Sequence, residues 1–329
     1  MKPHSQRFYC SSHTAAICET INFLELAGPI TKHARKTPDS LNYLLGSENQ
    51  HIIENHIASI KNLQDNLPDH LRISAEKLPE LLKTGDISGI LDTAILPAIL
   101  TCTAYRAVLY TTFCWPLLHS SLLTDTTTDF IVSAMEACLR ESRRLEEIFQ
   151  KLLTMTITEK KVDSGFWRGA ASVANGCFEA ATVSWFMYRH TLPYFWHAYE
   201  KKTRFCDKDT YEKKTRFCGK DTRAAIKPRM EVFQKSLCLL QTSQCGDQSK
   251  FNAFEPTSRE CFVSPMLNCV NAMVREIDVF DAAMKQAEEH QISLTQDKIV
   301  EMEKHAADLY SAVSNVSDVM DLENSVRSS

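Results

Sequence analysis

Apolar residues recur along most of the chain with the period of an α-helix. The clearest stretch, residues 130–153, places apolar residues on one face at intervals of three or four. They are Ile131, Ala134, Cys138, Leu145, Ile148, Phe149, Leu152 and Leu153. Opposite charges four residues apart lie on the other face, as in Glu136/Arg140, Arg143/Glu147 and Glu147/Lys151. This pattern predicts an amphipathic helix with capping residues at 126–129.

The rest of the chain shows the same helical signal, interrupted by turn-forming residues. A second apolar stripe covers 266–284. Breaks fall near 27–29, 37–40, 65–68, 84–89, 124–128, 158–165, 199–222 and 244–258. The clean alternation of a half-buried strand is absent, and 9 glycines and 11 prolines in 329 residues are few for a turn-rich β protein. We therefore predict an all-α bundle of about nine helices without a sheet.

Three regions are expected along the chain. Residues 1–20 form an N-terminal segment, and residues 21–288 form a helical domain that contains a basic loop at 199–222. Residues 289–329 form a C-terminal helix and tail. A chain of 329 residues is long enough to bury a large core in one such domain.

The basic loop is a tandem repeat of one twelve-residue sequence. Residues 199–210 read YEKKTRFCDKDT, and residues 211–222 repeat them with Gly219 in the place of Asp207. From 200 to 235 there are 12 Lys and Arg against 6 Asp and Glu, a local charge of +6 in a chain of net charge −4. Two identical copies cannot both occupy the same position in a packed core. We therefore expect the repeat to lie in a surface loop, where the second copy is tolerated as an insertion.

The repeat also places two basic clusters ten residues apart. The clusters are Lys201 and Lys202, then Lys213, Lys214 and Arg216. This spacing is typical of a bipartite nuclear-import signal, and it predicts an import receptor as partner and the nucleus as location. The alternative is contact with nucleic-acid phosphates, aided by stacking of the neighbouring aromatic residues. Because the net charge is negative, we expect no specific DNA binding by the chain alone.

The C-terminal region carries a seam of apolar residues spaced alternately by three and four. Its members are Ile299, Met302, Ala306, Leu309, Val313 and Val316. Such a seam is the a/d pattern of a coiled coil. Two interpretations are open: a helix packed on the bundle, or a dimerisation helix that joins two copies. The flanking e and g positions carry few charges, which favours the first.

The 12 cysteines contain no pair two to four residues apart. Structural zinc sites need such pairs, because one turn must present two thiolates to one ion. Several cysteines fall instead within apolar helical patterns, among them Cys102, Cys114, Cys138 and Cys177. We therefore expect reduced, structural thiols and no bound metal.

Enzyme motifs are absent from the sequence. His51 and His56 are five residues apart, so they do not share a helical face and do not form a zinc helix. Asp125 and Asp129 are four apart, but the second aspartate-rich cluster of a helical terpene synthase is missing. We predict no catalytic residue and no cofactor.

Membrane and leader segments are not expected either. Charged residues and prolines interrupt the most apolar region, 87–123, where a membrane span would need about 20 apolar residues. The first 19 residues lack the apolar core of a secretory leader.

Five segments carry a resemblance to a known family. They are FLELAGPITKHARK (23–36), IASIKNLQDNLPDHL (57–71), AYRAVLYTTFCWPLLHSSLL (104–123), EACLRESRRLEEIF (136–149) and SWFMYRHTLPYFWHAY (184–199). In this order they resemble the regulatory, or middle homology, domain of fungal Zn2Cys6 transcription factors. The chain departs from the family at two points. The family's arginine-proline step reads Cys114-Trp115-Pro116 here. Only Cys10 and Cys18 precede residue 100, so the six-cysteine zinc cluster is missing.

The resemblance implies a nuclear regulator without its own DNA-reading module. Such a protein would act through protein partners in transcription, for instance in the control of a biosynthetic gene cluster. The alternative is a helical enzyme or a small-molecule-binding protein whose substrate the sequence does not name.

Overall fold

The computed structural model describes residues 12–34, 46–81, 88–114, 125–159, 171–190, 220–245 and 260–290, with helical positions at 304–305, 308–309, 311–313 and 315–316. These ranges contain nine helices and no strand, which confirms the predicted all-α fold. The helices are α1 (Ser12–Ala34), α2 (Ser47–Asn66), the 3₁₀-helix η1 (Asp69–Leu71), α3 (Leu78–Leu81), α4 (Ser88–Cys114), α5 (Asp125–Ile157), α6 (Ala171–His190), α7 (Lys220–Cys245) and α8 (Glu260–His290).

Helix α6 is the centre of the bundle. It packs against α4, α5, α7 and α8. All but one of its side chains from Val173 to Tyr188 are buried, because neighbours cover it on every side. Gly176 allows the closest approach: a Cβ at this position would lie 2.8 Å from Ile95 Cγ2 of α4 and 3.0 Å from Phe149 Cζ of α5. A helix that is apolar all round and carries small residues is suited to this position.

Helix α5 is amphipathic, as the sequence predicts. Its stripe residues from Ala134 to Leu153 are buried in the main core, and the intervening Arg140, Arg143 and Gln150 are exposed. The helix begins earlier than expected, at Asp125, so the predicted capping residues 126–129 lie inside its first turns. Asp125 at the start of the helix favours this extension, because a carboxylate there interacts well with the positive end of the helix dipole.

Helices α1 and α2 cover one side of α4. Their contact forms a second, smaller core of six residues: Phe23, Ile30, Ile60, Leu67, Leu100 and Ala104. The predicted break at 27–29 is wrong, since α1 continues through Gly28 and Pro29 to Ala34. Both residues are exposed, so solvent can satisfy the carbonyl that the proline leaves without a donor. The break at 65–68 is confirmed: α2 ends at Asn66, and η1 follows with Leu71 buried.

The ends of the helical region extend beyond the predicted domain limits. Helix α1 crosses the limit at residue 20, and its Ala16 is buried in the main core. Leu309 and Val313 are buried in the same core, with Val316 packed against it. In the described part of the chain, residues from both the N-terminal segment (1–20) and the C-terminal region (289–329) therefore belong to the bundle.

Candidate functional site

A groove of about 420 Å³ runs along the outer face of α5. Its lining residues are Glu136, Leu139, Arg140, Arg143, Arg144 and Glu147. They follow one another at helical intervals of three and one, so they form a single stripe over three turns. The buried Leu139 supplies an apolar element among the charged side chains. We call this stripe the arginine groove.

Charge in the arginine groove is ordered along the helix axis. The three guanidinium groups lie in the middle, and the carboxylates of Glu136 and Glu147 lie at the two ends. Buried Glu141 holds two of the arginines: its carboxylate lies 3.5 Å from Arg140 Nε and 3.6 Å from Arg144 Nη1. An acidic group of a ligand could bind among these guanidinium groups, where it would compete with Glu141 for Arg140 and Arg144.

The predicted surface pairs differ from the observed ones. The sequence paired Arg140 with Glu136 and Lys151 with Glu147, four residues apart. The structure places Arg140 beside Glu141, and Lys151 Nζ 3.9 Å from Glu159. Glu141 is buried because it lies beside the apolar face of α5. A buried carboxylate without a cationic partner would be energetically costly, so Arg140 lies beside Glu141 and not beside Glu136.

A buried polar cluster lies between α4, α5 and α6. Arg106 of α4 forms an ion pair with Glu179 of α6. A hydrogen bond with Cys138, burial and the carboxylates of Glu179 and Glu141 raise the pKa of the Cys102 thiol well above its usual value. A raised pKa favours the protonated thiol at neutral pH, as is typical of a buried structural cysteine.

Two further buried thiols and the nearby phenol of Tyr105 also have raised pKa values. Burial raises the pKa of Cys177 and Cys269, and it raises the pKa of Tyr105 to about 12. The cysteines whose side chains the structure describes are all free thiols: Cys18, Cys102, Cys138, Cys177, Cys238 and Cys269. Among the described residues no group of three His, Cys, Asp or Glu side chains could hold a metal ion.

Polar side chains of α6 tie it to α8. Trp185 Nε1 donates a hydrogen bond to Glu276, and Tyr188 Oη donates to Asp281 Oδ1 at 2.5 Å. Arg229 of α7 likewise lies 2.6 Å from Glu146 of α5. These contacts join helices within the core, where they satisfy buried polar atoms. They fix the bundle and are not arranged around an open site.

The histidines considered in the sequence are separated by the fold. His51 is exposed on α2, with its Nδ1 3.3 Å from Glu54 of the same helix. His56 instead faces His33 of α1, with ring centroids 6.0 Å apart. Burial lowers the pKa of His56 from its ordinary value. No helix in the described ranges has the length and apolar character needed to cross a membrane.

The other predicted site residues have mixed outcomes. Lys201, Lys202, Lys213, Lys214 and Arg216 lie outside the described residues, as do Ile299, Met302 and Ala306. Leu309 and Val313 contact the bundle core, so those two side chains are occupied within the chain. The import signal and the dimer seam both stay predictions. The arginine groove was not predicted, although the spacing of its lining residues along α5 can be seen in the sequence.

Comparisons of the chain with protein-family models, with curated proteins and with solved structures found no match in any of the three.

Proposed function

We propose that the chain is a helical regulatory domain that acts in transcription through protein partners. The observation that supports this proposal best is the placement of the five family-like segments. Their described parts fall in order on α1, on α2 with η1, on α4, on α5 and on α6 of one bundle. The LPDHL step (67–71) runs from the C-cap of α2 to the end of η1, and its leucines Leu67 and Leu71 are both buried.

Binding, rather than catalysis, is the activity that this bundle suits. Its central helix is covered on all sides, and the described cysteines with raised pKa values are buried thiols. The arginine groove offers a partner an ordered set of charges on a rigid helix. A partner helix with acidic residues at its centre would meet the three guanidinium groups, and arginine is well suited to bind carboxylates in two-point contacts.

In this proposal the protein works in the nucleus of a fungus, for instance on a biosynthetic gene cluster. It would reach promoters through a DNA-bound protein partner, as the resemblance to a regulatory domain implies. The basic repeat would serve import. Contact of its cations with DNA phosphates would be weak and would fall steeply with salt.

The proposal is tested by tethering the chain to an unrelated DNA-binding domain in fungal cells. Expression of a reporter gene should change when the fusion is bound upstream. Arg143→Glu should remove the effect, because it reverses a charge at the middle of the groove. Arg275→Glu is the matched control, since Arg275 is also exposed on a helix but lies on α8. A fusion that leaves reporter expression unchanged would refute the regulatory function.

Import is tested separately with a fluorescently tagged chain. Deletion of residues 211–222 removes one copy of the repeat and with it the spacing between the basic clusters. Nuclear accumulation should fall, and the stability of the bundle should change by no more than about 1 kcal/mol. An unchanged distribution at unchanged stability would show that the repeat is only a tolerated duplication.

A second candidate function is the binding of a small molecule. It is favoured by the guanidinium groups of the arginine groove, an open surface of about 420 Å³ on which carboxylate or phosphate groups could bind in charge-assisted hydrogen bonds. A panel of small dicarboxylates and organic phosphates should then raise the melting temperature of the wild-type chain. The same compounds should have no effect on the Arg143→Glu variant.

A further inference from the structure

Helix α1 has two apolar faces, although a surface helix normally needs only one. The first face, with Ala16, Phe23 and Ile30, is fully buried against α2 and α4. The second face carries Ile17, Ile21 and Leu24, which are 43%, 49% and 50% exposed. This second face is an apolar surface that the described part of the chain leaves half uncovered.

The exposed face is a local concentration and not general surface composition. The described residues include five exposed large hydrophobic side chains, and three of them lie on this one stripe of α1. The other two, Ile157 and Val279, lie on different helices. Clustered exposed apolar residues mark interaction surfaces, whereas single ones do not.

Gly28 extends the stripe by one more step. Residues 17, 21, 24 and 28 are spaced by four, three and four, as on the contact face of a coiled coil. Apart from its own helix, a Cβ at Gly28 would have no atom of the described residues within 4 Å, so the described part of the chain leaves the space above this residue open. The stripe thus has a bulky end at Ile17 and an empty end at Gly28, about 16 Å apart along the axis.

This distribution of sizes makes the stripe its own complement. If a second α1 lies antiparallel across a two-fold axis, residue 17 of each copy faces residue 28 of the other, and residue 21 faces residue 24. Each Ile17 then enters the open space above Gly28 of the other copy. On the flanks of this arrangement Glu25 of one copy lies nearest Cys18 of the other, and Thr20 lies nearest Ala27. A parallel arrangement would instead stack the two glycines and leave a gap.

We propose that the chain forms a homodimer through antiparallel packing of α1 against α1 of a second copy. The interface is of the kind in which the same patch is used on both subunits. It is small, since only three half-exposed side chains per copy become buried in it, so it belongs with weak and reversible interfaces. Measurable association is therefore expected only at high protein concentration. This inference does not depend on the proposed function.

The test is sedimentation equilibrium of the full chain, from low micromolar to several hundred micromolar. Wild-type protein should move from monomer toward dimer over this range. Ile21→Lys and Leu24→Glu should each weaken association at least tenfold, because each places a charge on the stripe. Val279→Glu is the matched control: it adds a charge at an isolated apolar residue that is 58% exposed, and it should not affect association.

A mixing experiment tests the antiparallel register. In a mixed dimer, Lys introduced at position 21 of one copy faces Glu introduced at position 24 of the other, and the remaining Leu24 and Ile21 face each other. Mixing the two variants should therefore restore dimer at concentrations where each alone is a monomer. Failure of the mixture to associate would overturn the register. A wild-type monomer throughout, or a dimer unaffected by Ile21→Lys, would overturn the interface, and the latter result would favour the C-terminal seam.

Discussion

Replacement of Gly176 by alanine sets two effects of known sign against each other. Alanine is the better helix former, by about 1 kcal/mol in a helix interior. Its methyl group, however, would lie 2.8 Å from Ile95 Cγ2 and 3.0 Å from Phe149 Cζ. Both neighbours are fully buried, and the branched Ile95 is restricted in its rotamers, so neither can move away easily. Overpacking of this kind costs about 1–3 kcal/mol. We expect a net loss of stability of about 1 kcal/mol.

The chain offers a matched control for this experiment at Gly28. This glycine also lies inside a helix, but apart from that helix an added Cβ meets no atom of the described residues within 4 Å. Gly28→Ala should therefore avoid overpacking against other helices and change the stability of the chain by no more than about 1 kcal/mol, because its gain in helix propensity is opposed by contact of the new methyl group with the following Pro29. The assay is urea unfolding followed by circular dichroism, at a low protein concentration that keeps the chain monomeric. If Gly176→Ala costs no more stability than Gly28→Ala does, the close approach of α6 to α4 and α5 is wrong.

Three further predictions follow from buried polar groups. Glu179→Ala should cost about 3 kcal/mol in urea unfolding, because it leaves Arg106 without its main anionic partner, and a double variant with Arg106→Met should recover part of the loss. The lowered pKa of His56 means that the folded state binds fewer protons than the unfolded chain, so the resulting stability is complete above pH 6.5 and declines as the pH falls through the lowered folded value. His56→Gln should flatten that decline in a pH series of unfolding midpoints. Finally, maleimide should label exposed Cys18 within minutes, whereas buried Cys102 should react only as the chain unfolds, as mass spectrometry of peptides can show.

The amphipathic helices could be predicted from the sequence because each one has a single apolar face. The stripe of α5 between Ala134 and Leu153 is buried as expected, and so are Met266, Val270, Met273, Ile277 and Phe280 of α8. In such helices the periodicity states directly which side faces the core. The break expected at Pro29 was wrong, because a proline is tolerated in a helix where solvent can replace the lost hydrogen bond.

The candidate site could not be predicted in the same way. Charged residues on α5 were interpreted as pairs along one helix, but the carboxylate that holds Arg140 and Arg144 is the buried Glu141. Burial depends on which helices pack together, and local spacing does not contain that information. For the same reason the sequence did not distinguish the two apolar faces of α1, only one of which is covered by α4 and α2.

The central position of α6 has a consequence for how the chain is made. Its neighbours come from both sides in sequence: α4 and α5 precede it, whereas α7 and α8 follow it. During synthesis α6 leaves the ribosome before α7 and α8 have been made. Trp185 and Tyr188 therefore lack their hydrogen-bond acceptors, Glu276 and Asp281, until α8 is complete. A growing chain, or a fragment that stops before α8, therefore exposes an apolar helix that is liable to aggregate. The bundle can close only when the ribosome has released the last of these helices.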